Sequence, residues 1–204
     1  MLVLGSCTPA AFRNFQLIPV TTVNNTDIQA WFKSDNDHFL FHSGIDVFQN
    51  HFTGLMIIKP LPGDHYRVVF INELGIKIFD MEFFGNGGYK LHYCLEYLNK
   101  KFIINTLKND ISLMLNNQTG IPLKEMQNCE AGTRVSKIRD ENGVKYFLIR
   151  DRNGRIEEIF QRGGLRKSVN ISFFSTTGIE LDSVRISHQH IKLDIHLSKI
   201  NENE

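Results

Sequence analysis

The sequence predicts a mainly β domain of the α+β class, a curved antiparallel sheet with helices laid against it. Three observations predict this. From residue 38 onward, short runs rich in Val, Ile, Phe and Tyr alternate with clusters of Gly, Asn, Asp and Pro, as strands alternate with turns. The links between runs are too short for crossover helices, so neighbouring strands run antiparallel. One stretch switches to helical spacing, and at 204 residues a single core can serve the whole chain.

The first meander begins with strands at 38–48 and 52–59, joined by Gln49-Asn50-His51, a polar link of hairpin size. Pro60-Leu61-Pro62-Gly63-Asp64 breaks the chain before a strand at 66–71, and Asn72-Glu73-Leu74-Gly75 breaks it before one at 76–83. Residues 85–88 turn into a strand at 89–95, where Tyr89, Leu91, Tyr93 and Leu95 alternate with Lys90, His92 and Glu96, giving one wet face. Leu55-Met56-Ile57-Ile58 and Val68-Val69-Phe70-Ile71 do not alternate, so both faces there need cover. A helix supplies one cover and an enclosed apolar cavity the other. Candidates to line it are Met56, Ile58, Val68, Phe70, Phe79, Met81 and Phe83.

The helix is expected over 99–116, where Ile103, Leu107, Ile111, Met114 and Leu115 form a stripe and Lys100, Lys101, Lys108 and Asn109 fall elsewhere around the axis. A weaker helix at 26–33 carries Ile28, Trp31 and Phe32. After Gly120 and Pro122 a second meander follows, with strands at 134–139, 144–150, 155–161 and 168–175. A last strand at 184–197 changes phase, because Val184 and Ile186 are even-numbered while Ile191, Leu193, Ile195 and Leu197 are odd; a bulge or corner at 187–190 accounts for it.

Lys and Arg total 23 against 22 Asp and Glu, so a net charge of +1 offers no general attraction to nucleic acid. No apolar run reaches the roughly 18 residues a membrane helix needs. Leu4-Gly5-Ser6-Cys7 looks like the end of a bacterial lipoprotein signal, with small residues before an acceptor thiol. Residues 1–7 are therefore expected to be a truncated signal with its lipobox, Cys7 the acylated anchor, 8–20 a tether, 21–200 the domain and 201–204 a disordered tail. Such an anchor implies export. Cys94 and Cys129 have no metal or redox spacing, and either a disulfide or two separate thiols fits them.

No phosphate-binding glycine motif and no nucleophile elbow is present. His188 and His190 share a strand face as zinc ligands would, but the phase change separates them from His196, and the three read as exposed or bulge histidines. Asp80 and Glu82 also share a face, and read as the solvent side of their strand. Asp140-Glu141-Asn142-Gly143 and Asp151-Arg152-Asn153-Gly154 echo a calcium loop, yet its twelfth position falls on Asp151 and Arg162, so both read as hairpin turns. No catalytic residue, metal or cofactor is expected, and the chain is not expected to be an enzyme.

The stretch Asp64-His65-Tyr66-Arg67-Val68-Val69-Phe70-Ile71-Asn72-Glu73-Leu74-Gly75 resembles the outer-membrane lipoprotein receptor family of the bacterial lipoprotein-localisation pathway, where a Tyr-Arg-apolar strand enters an Asn-Pro-Leu-Gly turn. The order of elements resembles it over most of the chain, from Gly44 to the closing Ile191-Lys192-Leu193. The resemblance implies a LolA/LolB-like fold, an unclosed (half) β-barrel covered by helices. It also implies a lipid-anchored, periplasm-facing protein of the bacterial outer membrane, most simply a monomer, whose cavity takes acyl chains of lipoproteins or other lipids from a periplasmic carrier protein. The family's protruding leucine falls on Leu74, and Glu73 stands where the family has proline. Leu61, between two prolines, is a second candidate for an exposed apolar tip. The alternative is an adhesion or assembly scaffold with a filled interior and no ligand.

Overall fold

A computed structural model describes residues 14–19, 31–32, 38–63, 65–85, 87–115, 120–140, 143–163 and 166–200. Cys7, most of the expected tether and of the helix at 26–33, and the tail at 201–204 lie outside the described residues. A short strand β1 (Gln16–Ile18) precedes the first meander, β2 (Phe39–Val47), β3 (Asn50–Leu61), β4 (His65–Asn72), β5 (Lys77–Phe83) and β6 (Tyr89–Cys94). Helix α1 (Lys101–Met114) leads to the second, β7 (Gly120–Gln127), β8 (Arg134–Asp140), β9 (Lys145–Arg150), β10 (Ile156–Gly163), β11 (Arg166–Phe174), β12 (Ser183–His188) and β13 (Leu193–Lys199).

All of these strands belong to one antiparallel sheet in the order β1-β7-β8-β9-β10-β11-β12-β13-β2-β3-β4-β5-β6. The last strand pairs with β2, Ile195 opposite Ile45, and so joins the two meanders into one surface. β1 and β6 are its margins, and the sheet stays unclosed. The expected half-barrel is therefore the observed architecture. No helix among the described residues is long and apolar enough to cross a membrane.

Local chemistry fixes the register. In β2 the pattern Phe39, Phe41, Ser43, Ile45, Val47 puts every second residue in the interior. Gly54 lies between Ser43 and Asn72, where an added Cβ would sit 2.0 Å from the Ile71 carbonyl oxygen. Gly54→Ala is therefore expected to cost about 3 kcal/mol through overpacking, read as a lower urea midpoint.

Helix α1 has no side-chain cap on Lys100 and no acidic residue in its first turn, and it begins with Lys100 and Lys101 where the helix dipole disfavours cations. Its stability comes from the buried stripe, which includes the expected Ile103, Leu107, Ile111 and Met114. The inner face of the sheet and this stripe form one contiguous core. A smaller cluster of Met126, Val135, Phe147 and Phe160 occupies the opposite face at β7 to β10, with the Phe147 and Phe160 rings stacked at 4.8 Å.

Two expectations change. The phase shift in the last strand is not a bulge but a hairpin: β12 ends at His188, β13 starts at Leu193, and they pair antiparallel with Ile186 opposite Ile195. β7 enters the sheet despite Pro122, with a register irregularity just after it that accommodates the missing donor.

Candidate functional site

The inner face is built from cross-strand rows. Phe41, Met56, Phe70 and Phe79 stand opposite one another along β2 to β5, and Phe39, Ile58, Val68 and Met81 form the next row. Tyr66 and Phe83 continue the surface. All seven residues expected to line a cavity thus share one face. Each is 0 or 1 % exposed, and all lie in the core that includes Ile103, Leu107 and Ile111 of α1. Phe32 packs edge-on at 5.5 Å from Phe39. The space against these seven is filled by the protein's own side chains, so the enclosed cavity expected from the sequence is closed in this structure.

One buried polar contact ties the cover to the sheet. His188 Nε2 lies 3.2 Å from Asp110 Oδ1 of α1, and His188 Nδ1 lies 2.6 Å from the Leu193 carbonyl oxygen, to which it donates. Both side chains are buried, and Asp110 Oδ2 has no partner. Burial pushes the Asp110 carboxyl up, partly offset by His188. For His188, burial favours the neutral ring, but the Asp110 hydrogen bond and charge and the Leu193 carbonyl outweigh it and raise its pKa. His188 is therefore a buried latch and not an exposed or bulge histidine. Exposed His196 lies 3.1 Å from Ser198 Oγ, and no metal-holding group of His, Cys, Asp or Glu occurs among the described residues. Cys94 and Cys129 are separate thiols, with burial pushing Cys94 up to about 11.

A second buried polar group sits on the inner face at the other end of the sheet. The Arg150 side chain donates to Glu125 Oε1 at 2.5 Å and to Ser136 Oγ at 2.8 Å. On the outer face, Asp80 accepts from Arg67 at 2.9 and 3.0 Å and from Lys77 at 2.8 Å. Asp80 is thus buried, not the solvent side of its strand, and the Arg67 hydrogen bond brings its pKa down to about 2. A lowered carboxylate stabilises above its unfolded pKa and loses that effect as pH falls through the folded one. Asp80→Asn is accordingly expected to remove about 1–2 kcal/mol at neutral pH and much less below about pH 2, read by urea titration at both pH values.

One end of the sheet is greasy outside. Leu74 is 83 % exposed at the β4–β5 turn, held there by the Asn72 side chain, which accepts from the Leu74 and Ile76 amides at 3.0 and 2.8 Å. Gly75 supplies the turn's positive φ of 77°. Ile76, Phe48, Tyr97 and Phe102 are also exposed, and Phe48 on the β2–β3 turn lies 6.5 Å from Phe102 on α1. Leu61, by contrast, ends β3 opposite His65 and is half-buried, because Pro60 and Leu61 continue the strand instead of turning out of it.

The chain superposes on the crystal structure of a domain from Vibrio parahaemolyticus, provisionally described as an outer membrane lipoprotein-sorting protein, with a TM-score of 0.54 over 87 % of each chain at 8 % identity. The two share a fold. A LolA superfamily protein from Nitrosomonas europaea superposes with a TM-score of 0.48 at 9 % identity, covering 87 % of this chain and 91 % of that one. No protein-family model matches the sequence, and no curated protein matches it.

Proposed function

We propose that this chain binds the acyl chains of lipoproteins or related lipids on the inner face of its open sheet, with α1 as a displaceable cover. The observation that carries it is the row structure of Met56, Ile58, Val68, Phe70, Phe79, Met81 and Phe83, one uninterrupted apolar face in the same core as the stripe of α1, a helix whose N-terminus has no side-chain cap. Magnitudes favour exchange. Ile103, Leu107, Ile111, Leu113 and Met114, at about 2 kcal/mol each, contribute about 10 kcal/mol by covering the sheet. A palmitoyl chain of roughly 14 methylenes, at about 0.8 kcal/mol each, contributes about 11. Loading is then nearly balanced, as transfer from one protein to the next requires. In this reading Cys7 anchors the protein to the periplasmic side of the bacterial outer membrane, a soluble carrier delivers the cargo, and no bond is broken.

Leu74, Ile76, Phe48 and Phe102 form the end that meets lipid. Leu74→Glu is expected to weaken co-sedimentation with phospholipid vesicles about tenfold while leaving stability unchanged, since the side chain is exposed. Unchanged co-sedimentation removes Leu74 from the membrane contact.

The filled interior favours a second reading, a tethered adhesion or assembly scaffold with no ligand. Titration with a fluorescent long-chain acyl probe separates the two. Saturable one-site binding is expected of a carrier; a scaffold binds none, even when α1 is loosened by His188→Leu.

A further inference from the structure

We propose that Arg150 is the docking point for the ester or amide carbonyl at the head of a bound acyl chain. The inference rests on the acyl-binding reading above and names the part of the ligand that reading leaves open. On β9, Tyr146, Leu148 and Arg150 alternate onto the inner face, and Tyr146 and Leu148 belong to the main core. Leu148 stands opposite Ser136 of β8, which stands opposite Glu125 of β7, so the polar group adjoins Tyr146 and Leu148 of the main core, with β10 to β13 and β2 between it and β3. The Arg150 side chain is 3 % exposed and its charge is matched by Glu125. Its Nε–H, however, has neither a protein partner nor contact with solvent.

A buried N–H without an acceptor is costly, and an acceptor brought to it recovers that cost. The ligand chemistry follows from the charge balance. The Arg150–Glu125 pair is neutral as it stands, so a free carboxylate brings an uncompensated charge beside Glu125, whereas a carbonyl brings one acceptor and no charge. The group recognised is a neutral acyl ester or amide, not a free fatty acid.

The test is competition by methyl laurate, laurate and tridecane against a fluorescent acyl probe on the intact chain. Methyl laurate is expected to bind about tenfold more tightly than laurate, and to exceed tridecane by about tenfold more in the unmodified protein than in Arg150→Met/Glu125→Met. Replacing both partners avoids stranding one buried charge. Equal affinity for ester and acid, or a preference that survives in the double variant, overturns the assignment while the acyl reading stands. Binding of none of the compounds overturns both. Should the double variant fail to fold, the Arg150 Nε–H resonance of the unmodified protein decides: a downfield shift with methyl laurate and none with tridecane supports the docking point, and an unmoved resonance overturns it.

Discussion

Replacing His188 by leucine is expected to lower stability by about 3–4 kcal/mol, because it leaves the Asp110 carboxyl buried without the partner it now has. Asp110 lies between Leu107 and Ile111 on the covered side of α1, where solvent does not reach it. The paired replacement Asp110→Leu/His188→Leu removes the stranded group and is expected to return the urea midpoint to that of the unmodified protein or above it. Acyl-probe affinity is expected to move the other way. Loosening α1 in the single variant raises the fraction of molecules able to bind, and fixing it with leucines lowers that fraction. Equal destabilisation in the single and double variants would contradict a latch between helix and sheet.

Stability is expected to fall as pH rises from about 6 to 9, and to do so less in the Asp110→Leu/His188→Leu variant. His188 has its pKa raised on folding: burial alone would lower it, but Asp110, the Leu193 carbonyl and Asp194 together more than reverse this. Its contribution is complete below the unfolded value of about 6.5 and is lost as pH rises through the raised folded value. Asp110 is also raised, chiefly by burial, so its folded form holds the proton longer than the unfolded chain does. Its contribution likewise disappears with rising pH, and the two act in the same direction. At 3.2 Å from each other, the two titrate as a coupled pair. The difference in urea midpoint between the two proteins, measured across this range, isolates the pair from the other titrating groups. A difference that does not change with pH would remove the latch as the source.

The parts of the fold that were legible in the sequence are those where pattern and turn chemistry agree. β2 to β6 follow from breaks at Pro60 to Gly63, Asn72 to Gly75 and the glycines after Phe84, and α1 follows from the spacing of Ile103, Leu107 and Ile111. The hairpin between β12 and β13 was not legible, because Gln189-His190-Ile191-Lys192 contains no Gly, Pro, Asn or Asp to mark a turn. β7 was hidden by Pro122, a residue that ordinarily argues against a strand interior.

The apolar part of the site was legible for the same reason: alternation put Met56, Ile58, Val68, Phe70, Phe79, Met81 and Phe83 in phase, and cross-strand pairing made them one face. Its polar members were missed because charged residues are ordinarily exposed. The signals were nonetheless present. Asp110 falls on the apolar stripe three residues after Leu107, and Arg150 continues the alternation of Tyr146 and Leu148. A charge that keeps the phase of a buried pattern is itself the observation to follow. The filling of the inner face was not legible at all, since it depends on how closely α1 and Phe32 settle on the sheet.

Hydrogen exchange of the α1 amides, with and without a palmitoylated peptide, tests most directly whether acyl chains take the helix's place. The expected result is faster exchange across Lys101–Met114 on saturation with the peptide, while β3, β4 and β5 remain protected. Unchanged protection of the helix at a peptide concentration that saturates an acyl-binding lipoprotein carrier would contradict it, and would leave the open sheet as a scaffold.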